Sequence, residues 1–149
     1  MPSQNTPLRS PSQAVTYGLF ISVSAFILPL LLIPIISVIG WSEVIEEIAK
    51  FIVIVLLILK LPDRRTQLWA GVAFGAIFGI SETCLYFNQI FQFGDFNVFW
   101  WRLFLTVPMH ILTVLVVIIS SFPGKRFTIA GLAVAIALHL LFNTLAIAF

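Results

Sequence analysis

Five apolar runs, separated by short polar or basic breaks, organise the chain at about residues 15–39, 42–61, 67–87, 101–121 and 127–149. Each is close to the roughly 20 residues that a helix needs to cross the hydrocarbon of a bilayer. The pattern predicts an all-α fold, a polytopic membrane helix bundle with about five transmembrane helices, in a single domain over residues 15–149. Residues 1–14 are polar and rich in Pro and Ser and read as a disordered cytoplasmic tail. Pro29 and Pro34 predict a kink in the first helix, because each removes a backbone N–H from the ladder. Ser42 offers an N-cap for the second. The breaks at 60–65 and 122–126 read as short basic turns. The stretch 88–100 is longer and reads as an aromatic outer loop, with Phe91, Phe93, Phe96 and Phe99 dipping into the interface as anchors. The run over 20–39 is too long for a signal-peptide core and lacks a small-x-small cleavage site, so it is expected to persist in the mature protein.

Composition agrees with a membrane protein. The 149 residues are 60% hydrophobic and 9% charged, with a mean hydropathy of +1.11, whereas soluble domains carry about 25% charged residues. A net charge of +2 is too small to imply a nucleic-acid partner. With five crossings, Arg9, Lys60, Arg64, Arg65, Lys125 and Arg126 share one side and only Arg102 borders the other. That bias predicts a cytoplasmic N-terminus and an outside C-terminus, in the plasma membrane if the cell is prokaryotic. Trp41, Trp100 and Trp101 then form an outer aromatic belt. The single cysteine, Cys84, allows no internal disulfide.

The exceptions to the apolar pattern carry the functional information. Glu46, Glu47, Lys50, Glu82, His110, His139 and Asn143 all lie inside the apolar runs. A charge at the bilayer centre costs about 2.5–3.5 kcal/mol on the insertion scale. Such groups therefore face one another or a wet cavity, and they are functional candidates. Their spacing is helical. Glu43, Glu46, Glu47 and Lys50 share one stripe, on which Glu46 and Lys50 are an i,i+4 pair. Gly71, Gly75 and Gly79 form a small-residue packing face that Glu82 and Thr83 continue. Thr106, His110 and Thr113 make a polar stripe, and Gly131, Ala135, His139 and Asn143 recur every four residues. Four spans thus place polar groups at a common depth in the outer half, while the cytoplasmic halves stay apolar.

A carboxylate pair with two histidines and an amide suits the activation of water. One Glu takes the proton, a His shares the water, and a second His and the Asn donate to the oxyanion. The same groups can hold a metal, since two imidazoles and a carboxylate (His110, His139 and Glu46) make a hydrolytic zinc set. No His-Glu-x-x-His helix and no Gly-x-Ser-x-Gly elbow occurs. Cys84 beside Glu82 is either a nucleophile or a packing residue.

Glu46-Glu47-Ile48-Ala49-Lys50 resembles the Glu-Glu-x-x-Lys motif of the PrsW-type intramembrane proteases. Those are similar to the CAAX prenyl protease and bacteriocin-processing group. Phe78-Gly79-Ile80-Ser81-Glu82 resembles the second motif, His110 matches an isolated His on the next span, and His139-x-x-x-Asn143 resembles the final His-x-x-x-Asn/Asp. Order and spacing agree over residues 43–143. The resemblance implies hydrolysis of a peptide bond in a membrane-embedded protein or peptide, within or beside the lipid bilayer. Glu46 would be the base, with His110 holding the water and His139 and Asn143 stabilising the oxyanion. Glu47 would complete the catalytic set, with Lys50 and Glu82 supporting it. The CAAX group has Phe where this chain has Thr106, which argues against a prenylated substrate. No cofactor is certain, and zinc is the candidate. Two other classes stay open: a non-catalytic binding or assembly protein on the same fold, and a proton- or ion-coupled carrier.

Overall fold

The computed structural model describes residues 11–61, 63–93 and 96–146. All of its regular structure is helical: α1 (Pro11–Ile39), α2 (Ser42–Lys60), α3 (Arg64–Phe93), α4 (Phe96–Ser121) and α5 (Lys125–Ala146). Four stretches are long and apolar enough to cross a membrane: Thr16–Ile39, Arg64–Phe87, Phe99–Ser121 and Arg126–Leu145. The remaining helix, α2, has the length but carries Glu43, Glu46, Glu47 and Lys50 in its first half.

The boundaries follow local chemistry. α1 begins at Pro11, so residues 11–14 are helical where a tail was expected. Proline suits the first helical position, where its missing N–H has no helical partner to lose. Residues 1–10 of that tail lie outside the described residues. α1 continues through both Pro29 and Pro34. Ser42 does not cap α2. Gly40 and Trp41 both take left-handed backbone, at φ 72° and 55°, and turn the chain within two residues. The Trp41 carbonyl accepts from Val44 and Ile45 at 3.1 Å each, which draws Ser42 inside the helix. Asp63 caps α3, accepting from the Thr66 N–H at 2.9 Å and its hydroxyl at 2.7 Å. Those bonds hold the Asp63 carboxyl below its ordinary range. Gln67 closes the other side of this turn by donating to the Ile58 and Leu61 carbonyls at 3.2 Å each.

The expected aromatic loop over 88–100 is mostly helix. α3 runs on to Phe93 and α4 starts at Phe96, because nothing between Tyr86 and Phe93 breaks a helix. Phe87 meets Phe99 edge to face at 5.4 Å, and Phe96 at 6.2 Å. The side chains of Phe91 and Phe93 lie outside the described residues.

The helices form an arc in the order α1, α3, α4, α5, and α2 touches all four from its inner side. Phe74, Phe78, Ile54, Leu57, Val114, Val117 and Ala135 fill the space between them. Glycine brings α3 and α4 together. A Cβ on Gly75 would lie 2.7 Å from the Ile111 Cα and 2.9 Å from the His110 carbonyl oxygen. The outer surface is apolar, with Leu31, Leu59, Phe104 and Ile129 all more than half exposed, as a lipid-facing surface requires.

Candidate active site

Helix α2 presents Glu46, Glu47 and Lys50 inward, all buried. Lys50 is the hub, with no accessible surface. Its ammonium reaches Glu47 Oε1 at 2.5 Å, His110 Nδ1 at 2.9 Å and Thr113 Oγ1 at 3.4 Å. Three protons thus meet three acceptors. The expected Glu46–Lys50 pair is replaced by Glu47–Lys50, because the ammonium points toward α4 and Glu47 lies beside that path. Lys50 also sits 4.8 Å over the Phe78 ring.

Two imidazoles flank this hub. His110 Nδ1 accepts from Lys50, so its proton resides on Nε2, which contacts Glu82 Oε2. His139 Nδ1 lies 2.8 Å from Glu47 Oε1. A carboxylate only accepts, so His139 carries its proton on Nδ1 and turns the Nε2 lone pair inward. That nitrogen lies 4.0 Å from Glu46 Oε2. The rings stand edge to face, 5.3 Å apart, and Phe78 backs His110 at 4.9 Å. Glu46 Oε2 is buried and has no hydrogen-bond partner among the described residues.

The structure therefore gathers six of the seven residues singled out: Glu46, Glu47, Lys50, Glu82, His110 and His139. Asn143 stands one turn further out, where its amide donates to Glu43 Oε1 at 2.8 Å. Cys84, weighed as a nucleophile, is exposed, unlike the cluster. Ser81 is a residue that periodicity did not single out. Its hydroxyl donates to the Phe26 carbonyl at 2.6 Å and pins α1 to α3 beside Glu82. Its place between two inward-facing glycine and glutamate positions was the available signal.

The donor set fits a divalent ion. Glu46, His110 and His139 each offer a ligand atom, and the three lie within 4.8 Å of one another. Glu46 Oε2 lacks a partner and His139 Nε2 has a free lone pair, as ligands awaiting a cation would. Glu47 orients His139 from behind, the usual carboxylate support of a ligating imidazole. His110 has both nitrogens engaged, so ligation by it replaces one of its two contacts.

Residues 14–149 match the family model described as PrsW family intramembrane metalloprotease. No curated protein and no solved structure matches the chain.

Proposed function

The chain belongs to the PrsW family of intramembrane metalloproteases, and from that premise we propose that it hydrolyses a peptide bond in a membrane-embedded protein or peptide. Glu46 is the base. The observation that carries this reading is its buried, unpartnered Oε2 beside the His139 lone pair. A water between them can give its proton to Glu46 while His139 orients it. Glu47 holds His139 in the tautomer this requires, and Lys50 offsets the charge of the carboxylates. The hydrogen bonds favour exchanging the roles that the resemblance implies for the histidines. His110, with its proton on Nε2, is a donor suited to a developing oxyanion, and Asn143 at the rim is a second. A divalent ion held by Glu46, His110 and His139 would polarise the scissile carbonyl and make the bound water more acidic in place of these roles, with Glu46 a ligand and His110 giving up its contact with Lys50 or Glu82.

In this reading all five helices cross the membrane, α2 included, because α4 and α5 engage its Lys50, Glu47 and Glu43. The N-terminus is cytoplasmic and the site lies in the outer half of the bilayer. The order of the motifs also places the chain beside the CAAX and bacteriocin-processing group.

The test is cleavage of a panel of membrane-anchored peptides by the purified protein in lipid discs. Glu46→Gln and His139→Ala should each lower the rate by at least about 100-fold, the scale of general-base catalysis, with helical content unchanged. A folded Glu46→Gln protein that cleaves at the wild-type rate would overturn the assignment.

A further inference from the structure

Two side chains outside the hydrogen-bonded cluster share its faces. Tyr86 follows Glu82 by one turn on α3, and Arg102 precedes Thr106 and His110 at four-residue steps on α4. The Arg102 guanidinium lies over the Tyr86 ring, 4.3 Å from its centroid. The pair is therefore the next rung outward from the His110–Glu82 contact. The site is accessible on this side, since the Glu82 side chain is 16% exposed where His110 is fully enclosed.

Arg102 is exposed. Among the described residues it makes no hydrogen bond and no ion pair. Stacking on Tyr86 fixes the plane of the guanidinium and leaves its N–H edge open. Among the described residues, the other charges at this end of the bundle are Glu43, Glu46, Glu47 and Glu82, with Lys50 enclosed among them. Among the described residues, Arg102 is thus the accessible cation of an acidic mouth.

We propose that Arg102, held by Tyr86, is a specificity residue that binds a carboxylate of the substrate. The role rests on the hydrolase reading above. Its position sets a register. Eight residues of helix separate Arg102 from His110, about 12 Å at 1.5 Å per residue. An extended chain advances about 3.3 Å per residue. The carboxylate therefore lies about three or four residues from the scissile bond. It belongs either to an Asp or Glu side chain or to the free C-terminus of the substrate.

The experiment measures binding of fluorescent membrane peptides to the full chain in discs of zwitterionic lipid. The Glu46→Gln background prevents turnover. One peptide carries an acidic residue at this distance with an amidated end, one carries only a free C-terminus there, one is neutral and one carries Lys. Wild-type Arg102 should favour a carboxylate peptide over the neutral one at least tenfold, and the two carboxylate peptides identify the source. Arg102→Gln should remove that preference without weakening the neutral peptide, and Arg102→Glu should transfer it to the Lys peptide. Tyr86→Leu should lower the preference severalfold. Equal binding of acidic and neutral peptides by wild-type Arg102 would overturn the proposal without any variant. So would an Arg102→Gln protein that loses both equally, which marks a packing role. Selective binding by a chain that cleaves none of the peptides with Glu46 restored would keep the recognition site and reject the hydrolase reading.

Discussion

Lys50 is the residue on which the site turns. A buried ammonium with all three donors satisfied stabilises the groups it touches, but removing it leaves Glu47 charged in the interior with only the His139 N–H against it. Breaking a buried pair in this way costs about 3–5 kcal/mol. Lys50→Met is expected to lower stability by that amount, measured by unfolding in mixed micelles; a loss under about 1 kcal/mol would show that Glu47 finds another partner. Lys50→Arg should not restore the wild type, because a planar fork cannot reach acceptors arranged around a point donor. The sequence made the membership of this network legible, since charge inside an apolar run has few explanations. It did not make the pairing legible. Glu46 and Glu47 are both within a helical turn of Lys50, and only the direction of the lysine stem toward Thr113 decides between them. The same limit hid the Asn143–Glu43 bond, which joins residues 100 positions apart.

At the level of elements, α3 and α4 act as one unit that sets the position of His110. The four-residue spacing of Gly71, Gly75 and Gly79 revealed a close-packing face before its partner was known. For Gly75 and Gly79 the partner is the α4 backbone at Val107, His110 and Ile111, so these two govern how near His110 comes to Glu82, while Gly71 faces the Ile118 and Val114 side chains. Gly75→Ala puts a methyl against main chain, which cannot swing away as a side-chain tip can. Overpacking of this kind costs about 1–3 kcal/mol. Gly18→Ala is the control, because a Cβ there meets nothing within 4 Å, and it should leave stability equal or slightly raised. Thermal unfolding of the two variants checks this, and equal melting temperatures would mean that α4 moves aside without cost. The aromatic segment was misread as a loop for a related reason. Asn88, Gln89 and Gln92 end the hydropathic signal, yet none of them stops a helix, so polarity marked the edge of the hydrocarbon and not the end of α3.

For the whole molecule, the arc of α1, α3, α4 and α5 around α2 has a consequence for biogenesis. The chain is made from its N-terminus, so α2 emerges before the helices that satisfy it. The His110 partner of Lys50 lies 60 positions later and the His139 partner of Glu47 lies 92 positions later. Alone, Glu46, Glu47 and Lys50 oppose insertion by roughly 8–10 kcal/mol, against about 4 kcal/mol in favour from the aliphatic run over residues 52–59. With the N-terminus cytoplasmic as proposed above, a chain ended after Asp63 and fused to a glycosylation acceptor should therefore be modified in microsomes, because α2 stays on the far face with its acceptor. The full-length chain with the acceptor at the same place should not be modified, and equal protection of both would refute the argument. In the five-span reading proposed above, the ribosome thus delivers this helix before the lipid can accept it, and integration of α2 and assembly of its polar cluster become a single late event in the life of each molecule.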